Sequence, residues 1–335
     1  MTIKKFQFFA KKNQYSVRID KFLTQSIQNT SRNIIQKATD LGKVLVNKYP
    51  IKKNYKIKPF DIVEAEIYYP SILDPEYKNI LAEEIYLNIH HEDDDILVIN
   101  KGEGMVVHPG YGNKSGTLIH GIKYYLKNND KLYRFGLVHR IDKGTTGLLV
   151  LAKNEYAQKY LLKQFFSKTI KRTYLALVWG DLQKKEGTIS GFIGRDPKNR
   201  KRMTLKKKNF PNGKFSITHY KVLERFKYMT FVSCNLETGK KHQIRVHFKF
   251  LGHPLFNDST YGGNKILMKK KLSNNYRIFF QKCFNFLNSK RHALHAVSLS
   301  LIHPKNDKLH LFTCRIPKDL EEILHYLRNN YNKVP

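Results

Sequence analysis

The sequence VHRIDKGTTGLLVLAKN, residues 138–154, sets His139, Arg140 and Asp142 before a Gly/Thr-rich turn and a continuous apolar run. Such a run, bounded by turn residues, is typical of a buried core strand. We predict that GLVHRID ends one strand, that KGTTG turns, and that LLVLAK begins the next. An aspartate at such a position either caps the turn through backbone N–H groups or points into a cleft. The stretch alone favours the cap, and it does not fit a kinase loop, because the aspartate comes one residue late and no DFG motif accompanies it.

Apolar runs of strand length recur through the rest of the chain, whereas amphipathic helical patterns are fewer. Many strands in succession with scattered helices favour an α+β fold with a mainly antiparallel, mixed sheet and flanking helices over repeating βαβ units. Residues 264–291, rich in Lys, Asn and Phe, are predicted to form a surface insertion. The predicted strands are DDILVINK (94–101), GLLVLAK (147–153), RTYLALVWG (172–180), FSITHYKVLER (215–225), MTFVSCNLE (229–237), HQIRVHF (242–248) and ALHAVSLSLIHP (293–304), and the predicted helices are GTLIHGIKYYLKN (116–128), NEYAQKYLLKQFFSK (154–168) and PKDLEEILHYLRNNY (317–331).

Residues 15–69 are predicted to form a small separate domain of two helices followed by short strands. Ser31 is placed to cap the second helix, and Gly42 follows its C-terminal end. The basic side chains of this domain either contact RNA or form a solvated face. The remaining predicted boundaries are an N-terminal extension (1–14), a linker that carries two prolines (70–84) and a second, larger domain (85–330).

The chain is strongly basic, with 61 Lys+Arg against 27 Asp+Glu in 335 residues and a formal net charge of +34. Basic surfaces favour polyanions, because neutralising phosphates releases counterions. The charge therefore indicates a nucleic-acid partner. The excess of Lys over Arg leaves open that part of the charge reflects an A/T-rich genome.

The three cysteines, Cys234, Cys283 and Cys314, lie far apart and predict neither a disulfide framework nor a zinc site. No stretch of about 18 apolar residues predicts a membrane span. The N-terminus lacks the apolar segment and cleavage site of a secretory signal. We therefore expect a cytoplasmic protein.

Six motifs together resemble the RluA-type pseudouridine synthases, in the order in which that family has them. The N-terminal sequence RIDKFL, followed by SR and GKVLVN, resembles the S4 RNA-binding domain, although Phe60 stands where that domain usually has Gly. The resemblance implies a pseudouridine synthase catalytic domain behind an S4 domain, and it points to the branch that acts on large-subunit ribosomal RNA. The motifs are INKGEGMVVHPGYGN (99–113), HRIDKGTTGLLVLAK (139–153), KRTYLALVWG (171–180), LETGKKHQIRVHF (236–248), GHPLFNDSTYGG (252–263) and RHALHAVSLSLIHP (291–304).

The resemblance implies isomerisation of uridine to pseudouridine within RNA, with the target nucleotide flipped out of its stack. Asp142 aligns with the essential aspartate of the family, which acts either as a nucleophile or as a base for a sugar proton. Arg245 aligns with the arginine that pairs with it; a guanidinium suits this role because it stays charged and can bond a carboxylate bidentately. Tyr174 aligns with the tyrosine that packs against the target base.

Further residues are implied to line the site or to bind RNA. Ile244 matches an apolar position that walls the cavity. Lys240 and Lys241 stand where the family has Arg–Thr, so the first position keeps its charge but loses bidentate geometry. The other implied RNA contacts are His139 and Arg140 and, in the S4 domain, Arg18, Ser31, Arg32, Lys37 and Lys43.

The histidines do not predict a metal site. The pairs His242 with His247 and His292 with His295 lack HExxH character, and packing or RNA contact is the favoured role for them and for His303. The implied reaction needs no redox step or group donor, so we expect no cofactor. We expect a monomer with RNA as its partner. Two alternatives remain, namely the same enzyme acting on tRNA and a non-catalytic RNA-binding protein of ribosome assembly.

Overall fold

The computed structural model describes residues 2–27, 30, 32–69, 80–110, 112–126, 133–208, 210–267, 274–287 and 291–330. The chain divides into two compact units, Met1–Lys78 and Asn79–Pro335. Among the helices in these ranges, none has both the length and the apolar character needed to span a bilayer.

The first unit packs two helices against a four-stranded sheet, as the sequence predicts for residues 15–69. Leu23 and Ile35, one from each helix, meet Val63 of the sheet in a fully buried core. The strand order is β1-β4-β2-β3. The elements are β1 Thr2–Phe9, α1 Ile19–Ser26, α2 Arg32–Asp40, β2 Val44–Val46, β3 Tyr49–Pro50 and β4 Ile62–Tyr69.

The N-terminal segment belongs to this unit, which corrects the predicted extension at residues 1–14. Strand β1 pairs antiparallel with β4 along its whole length, from Thr2 opposite Tyr69 to Phe9 opposite Ile62. The pairing is stable because alternate β1 side chains reach the core, where the Phe8 ring meets that of Phe22 edge-on at 6.1 Å. Residues 70–79 of the predicted linker (70–84), and also Ser31, lie outside the described residues.

The turn at Phe60 forms even though a bulky residue stands where glycine is usual. Phe60 adopts a left-handed backbone with φ 68°, which costs a non-glycine residue roughly 1–2 kcal/mol. The neighbouring Asp61 offsets this cost, because its buried carboxylate accepts the Lys58 backbone N–H at 2.8 Å, the Tyr55 hydroxyl at 2.8 Å and the Asn47 side-chain amide at 3.1 Å.

The second unit is built on a ten-stranded sheet with the order β10-β9-β11-β12-β8-β13-β7-β6-β5 and with β14 paired to β13. Its elements are β5 Ile89–Glu92, β6 Ile96–Lys101, α3 Leu118–Tyr125, a 3-10 helix Tyr133–Gly136, β7 Thr146–Ala152, α4 Glu155–Ser167, β8 Lys171–Trp179, β9 Glu186–Arg195, β10 Met203–Lys206, β11 Lys214–Arg225, β12 Met229–Leu236, α5 Gln243–Phe250, α6 Asn274–Phe286, β13 Leu294–Ile302, β14 Leu309–Thr313 and α7 Lys318–Asn330.

The predicted α+β fold with a mainly antiparallel, mixed sheet is confirmed. In the described part of this sheet, β7 and β13 are parallel and the other pairings are antiparallel. These two strands approach closely at Gly147, where φ is 107° and an added Cβ would lie 2.2 Å from the Ala296 carbonyl oxygen. The glycine of the opening motif is therefore required by the contact between two central strands.

The run HQIRVHF, 242–248, was predicted as a strand, but His242 is the N-cap of helix α5 and the other six residues lie within the helix. Gln243–Phe248 are buried without interruption, so hydrophobic periodicity could not separate helix from strand. The Gln243 side chain fixes the start of the helix, since its Oε1 accepts the Lys240 backbone N–H at 3.0 Å and its Nε2 donates to the Ile217 carbonyl at 2.9 Å.

The segment predicted as a surface insertion, 264–291, contributes to the core. Its helix α6 buries Phe279, Phe280 and Cys283, and the Phe280 ring centroid lies 5.2 Å from that of Trp179 on β8. Trp179 donates its indole N–H to the Gly263 carbonyl at 2.7 Å. The abundance of Lys and Asn indicated an exposed segment, but the aromatic residues of this helix form a face that packs against α7.

Candidate active site

Asp142 lies on a loop and not at a strand end, so the predicted strand GLVHRID is wrong. Leu137 makes an isolated bridge to Leu151, and residues 138–143 then continue without strand pairing. One hydrogen bond ties this loop to the buried strand β7, and a second closes the turn that follows Asp142. The Val150 backbone N–H donates to His139 Nε2 at 3.0 Å, and the Thr145 N–H donates to the Asp142 carbonyl at 3.0 Å.

Arg245 joins two carboxylates that are far apart in the sequence. Its Nη1 donates to Asp142 Oδ2 at 3.0 Å. Its Nε and Nη2 donate to the two oxygens of Asp258, at 2.7 and 2.9 Å. Asp258 is fully buried, whereas the Asp142 side chain is 23% exposed. The guanidinium is thus anchored by one carboxylate and presented to the other.

The Asp258 carboxylate is in turn fixed by the backbone that follows it. The N–H groups of Thr260 and Tyr261 donate to its Oδ1 at 3.0 and 3.2 Å. The Tyr261 ring lies 5.1 Å from the Arg245 guanidinium carbon, and its hydroxyl bonds His242 Nδ1 at 2.9 Å. Asp258 was not among the residues predicted for the site. The available signal was that it is the single acidic residue in the motif GHPLFNDSTYGG (252–263).

The charges around Asp142 keep it ionised. Burial raises the pKa of this carboxyl, but His242, Arg245 and His292 lower it further than burial raises it, so the net shift is below the usual value. Burial also lowers the pKa of His242 to about 4. That imidazole is therefore neutral at pH 7, and we assign the stabilising charge at neutral pH to Arg245. Hydrogen bonding and the charge of Asp258 raise the pKa of Arg245 against the effect of burial.

A buried lysine supports the loop from behind. Lys101, at the end of β6, donates to the carbonyl oxygens of Gly102, Met105 and Lys143 at 2.6, 3.0 and 3.3 Å. Burial lowers its pKa to about 7, while the charge of Asp142 opposes this shift. Lys101 therefore links the β6 turn to the residue that follows Asp142.

Asp142, Tyr174, Ile244 and Arg245 line one cavity of about 600 Å³. Tyr174 projects from β8 and is buried. Among the described residues its hydroxyl has no hydrogen-bond partner, so it is free to meet a ligand. Burial raises the pKa of Tyr174, with the charge of Arg172 opposing this effect, so the side chain is a neutral phenol at pH 7.

The remaining residues predicted to line the site also reach this cavity. His139, Arg140, Lys240 and Lys241 are all among its lining residues. Arg140 is exposed and has no polar partner in the described part of the chain. His139 is neutral, because burial and then the charge of Arg172 lower its pKa to about 3. Its ring stacks on Phe165 at 4.7 Å, and its Nε2 accepts the Val150 N–H at 3.0 Å.

The histidines that could suggest a metal are each bound to protein groups. His247 bonds the Ser216 hydroxyl and His292 the Thr145 hydroxyl, both at 2.9 Å. His295 bonds the Thr146 hydroxyl at 2.9 Å. These contacts fit packing, which is one of the two roles predicted for these histidines.

His303 lies in a different cluster, away from the residues that line the cavity. The ligand atoms of Asp93, Asp95 and His303 lie within 4.8 Å of one another. However, Asp93 already accepts the backbone N–H groups of Asp95 and Ile96 at 2.8 and 2.9 Å and faces both His91 and His303. Asp93 is therefore shared between a local turn and the two histidines.

In the first unit, Asp20 organises two of the basic residues predicted to bind RNA. Its buried carboxylate pairs with Arg18 at 3.0 Å and with Arg32 at 2.8 Å, and both arginines remain about half exposed. Lys37 is exposed on α2, and Lys43 lies 3.5 Å from Glu66. These four basic residues therefore share one unit, and Asp20 orients two of them.

A loop aspartate paired with a helix arginine, at a cavity beside a mainly antiparallel sheet, defines the class: the second unit has the pseudouridine synthase fold. The solved structure of human RNA pseudouridylate synthase domain containing 4 superimposes with a TM-score of 0.55 at 26% identity, covering 72% of this chain and 93% of that one.

The sequence profile described as RNA pseudouridylate synthase matches residues 95–250. The uncharacterized RNA pseudouridine synthase YlyB of Bacillus subtilis (strain 168) is 40% identical over 324 residues, 96% of this chain and 97% of that protein. The ribosomal large subunit pseudouridine synthase D of Buchnera aphidicola subsp. Acyrthosiphon pisum (strain APS) is 39% identical over 92% of this chain and 93% of that protein. The chain belongs to the RluA/RluD-type pseudouridine synthase family, and it is an isomerase that acts on RNA.

Proposed function

We propose that this enzyme converts uridines of large-subunit ribosomal RNA to pseudouridine, with Asp142 as the catalytic group. The observation that supports this most strongly is the ionised Asp142 held by Arg245 at 3.0 Å in the wall of a cavity that also contains Tyr174. A cavity of about 600 Å³ has ample room for one nucleotide.

The proposed reaction breaks the N1–C1′ bond of uridine and forms a C5–C1′ bond after the uracil has turned. The proton lost from C5 is balanced by the proton gained at N1, so no external reactant is consumed. Asp142 acts either by attack on C1′ or by removal of a sugar proton. Both routes need an ionised carboxylate. The charge of Arg245 favours that form, and Asp258 contributes by fixing the guanidinium in place.

Tyr174 is proposed to pack against the target base. Its buried ring and unpartnered hydroxyl face the cavity, and its raised pKa disfavours the phenolate that removal of the C5 proton would need. The side chain therefore serves better as a wall for the base than as a strong base itself. Ile244 is proposed to form an adjoining apolar wall, and Arg140 to contact the RNA or to fill the space left by the flipped nucleotide.

Extrusion of a nucleotide from folded RNA costs a few kcal/mol. The formal charge of +34 supplies the phosphate attraction that offsets this cost. We propose that the first unit is an S4 RNA-binding domain that contributes to it through Arg18, Arg32, Lys37 and Lys43. The large-subunit target is proposed because several relatives at 36–42% identity are named ribosomal large subunit pseudouridine synthase D. We further propose a cytoplasmic monomer, since an asymmetric RNA does not require a dimer.

The function is tested by comparing ribosomal and transfer RNA from cells with and without the protein and mapping every pseudouridine. Loss of sites in the large-subunit RNA is the expected result. Loss of sites only in tRNA would replace the proposed target. If no site is lost and the purified enzyme releases no tritium from RNA labelled at uridine C5, the protein would be a non-catalytic RNA binder.

A further inference from the structure

Four cationic side chains gather at one side of the catalytic cavity. Lys168, Arg172 and Lys240 line it, and Lys214 lies close enough to act on Lys240. Burial first, and then repulsion from Lys214, Lys168 and Arg172, lowers the pKa of Lys240. Within the described residues none of the four forms an ion pair. Two carboxylates line the same cavity. Asp142 accepts from Arg245 at 3.0 Å, and Glu237 is bonded to His219 at 2.7 Å.

Arg172 is the most constrained of the four. Its guanidinium carbon lies 5.4 Å from the centre of the Phe165 ring, whose other neighbour is His139. An added Cβ on Gly239 would lie 2.8 Å from Arg172 Nη1, so the glycine leaves the space that the guanidinium occupies. The Arg172 Nε is buried and has no hydrogen-bond partner in the described structure. A buried, unpartnered donor of this kind is costly unless a ligand satisfies it.

Arg172 and Tyr174 are two residues apart on β8, so their side chains project from the same face of the sheet. A ligand that packs against Tyr174 therefore has its neighbouring groups beside Arg172. A planar guanidinium with two flanking ammonium groups suits a phosphate, which accepts several charge-assisted hydrogen bonds at once.

We propose that Lys168, Arg172 and Lys240 bind a phosphate adjacent to the flipped uridine, with Arg172 as the central donor and Lys214 adding long-range attraction. This inference rests on the proposed function, because it takes the anion to be part of the RNA substrate. Phe166, which is 91% exposed at the same rim, is placed to stack on the base that follows this phosphate.

The test measures direct binding, so that it needs no turnover. Equilibrium dialysis compares uridine 3′,5′-bisphosphate with uridine on the full-length wild-type protein and on Arg172→Gln, Arg172→Lys and Lys240→Gln. The wild type is expected to bind the bisphosphate at least about tenfold more tightly than uridine, as charge-assisted bonds to a phosphate predict. Arg172→Gln should lose most of this preference for the bisphosphate, and Lys240→Gln should lose part of it. Arg172→Lys should retain more of the preference than Arg172→Gln. Lys282→Gln, an equal loss of charge on the exposed side of α6, should leave the preference unchanged.

A second measurement guards against a folding defect in Arg172→Gln. Binding of a short single-stranded RNA is measured at several salt concentrations. The plot of the logarithm of the association constant against the logarithm of salt concentration has a negative slope, and its magnitude should be smaller by about 1 in Arg172→Gln. The thermal unfolding midpoint is monitored in parallel. An equal preference in wild type and Arg172→Gln, or an unchanged salt slope in the folded variant, overturns the inference. If the bisphosphate is preferred in an Arg172-dependent way but no tritium is released from RNA, the phosphate site stands and the catalytic proposal is rejected. If tritium is released but the preference does not depend on Arg172, the catalytic proposal stands and the phosphate site is rejected.

Discussion

Arg245 and Asp142 are joined by a single hydrogen bond of 3.0 Å from Nη1 to Oδ2, across 103 residues of sequence. The remaining fork of the guanidinium is held by both oxygens of Asp258. A lone arginine opposite Asp142 could rotate toward a symmetric, two-bond pairing. Asp258 prevents this, so the guanidinium bonds Oδ2 of Asp142 and leaves Oδ1 without a bond to Arg245.

Asp258→Asn is expected to weaken both catalysis and stability. The buried guanidinium loses its charged anchor, and breaking a buried ion pair typically costs about 3–5 kcal/mol. Urea unfolding should report this loss, and kcat should fall because Arg245 no longer holds Asp142 in one position. Asp181→Asn is the matched control, because Asp181 pairs with Arg225 at 3.0 Å on the surface, where such pairs contribute about 0–1 kcal/mol. Equal effects of the two substitutions would contradict the anchoring role.

Tyr174 is expected to act mainly through its ring. The free energy of unfolding of Tyr174→Phe should lie within about 0.5 kcal/mol of the wild-type value, and this variant should keep measurable turnover. Tyr174→Ala should lose at least about tenfold more kcat than Tyr174→Phe, because it removes the surface that packs on the base. Single-turnover kinetics with labelled ribosomal RNA would measure both. Complete inactivity of a well-folded Tyr174→Phe would assign the essential function to the hydroxyl instead.

Buried histidines should make the protein less stable as the pH falls from 6.5 to about 4. Burial lowers the pKa of His292 to about 3 and that of His247 to about 4. In this range the unfolded chain binds more protons than the folded one, so the free energy of unfolding decreases with falling pH, by up to about 1.4 kcal/mol per pH unit and histidine.

Asp142 and Asp258 do not add to this slope, because both have lowered pKa values. The stability that these two ionised carboxylates contribute to the folded state is present above about pH 4. It is lost only as the pH falls through the lower pKa values that they have in the folded protein. Chemical denaturation at several pH values should therefore show a shallower decline for His247→Gln than for wild type. A pH-independent stability between 6.5 and 4 would refute this account.

The helix α6 is expected to be part of the core. Phe280→Ala should lower the free energy of unfolding by about 3–5 kcal/mol, as is usual for a buried phenylalanine, because the ring packs against Trp179. Ile278→Ala on the exposed side of the same helix, where the side chain is 57% exposed, should have a much smaller effect. Similar small losses for both would restore the description of this segment as a surface insertion.

The sequence predicted those elements whose burial follows a simple pattern. Strand β7 is a short apolar run that is buried throughout, and its boundary lies at the predicted turn. Helix α5 was mistaken for a strand because Gln243–Phe248 are buried on every side, which removes the periodicity that distinguishes the two. The pairing of Asp142 with Arg245 was implied by the resemblance of their motifs to those of the family. Asp258 and Arg172 could not be assigned roles, because these depend on contacts with residues on other elements.

The central claim is that Asp142 is the group that performs the isomerisation. The most direct measurement is tritium release from ribosomal RNA labelled at uridine C5, with wild type and Asp142→Asn compared at equal RNA occupancy. The account predicts that Asp142→Asn binds the RNA as tightly as wild type and releases no tritium above background. Tritium release by Asp142→Asn at a rate near that of wild type would contradict it.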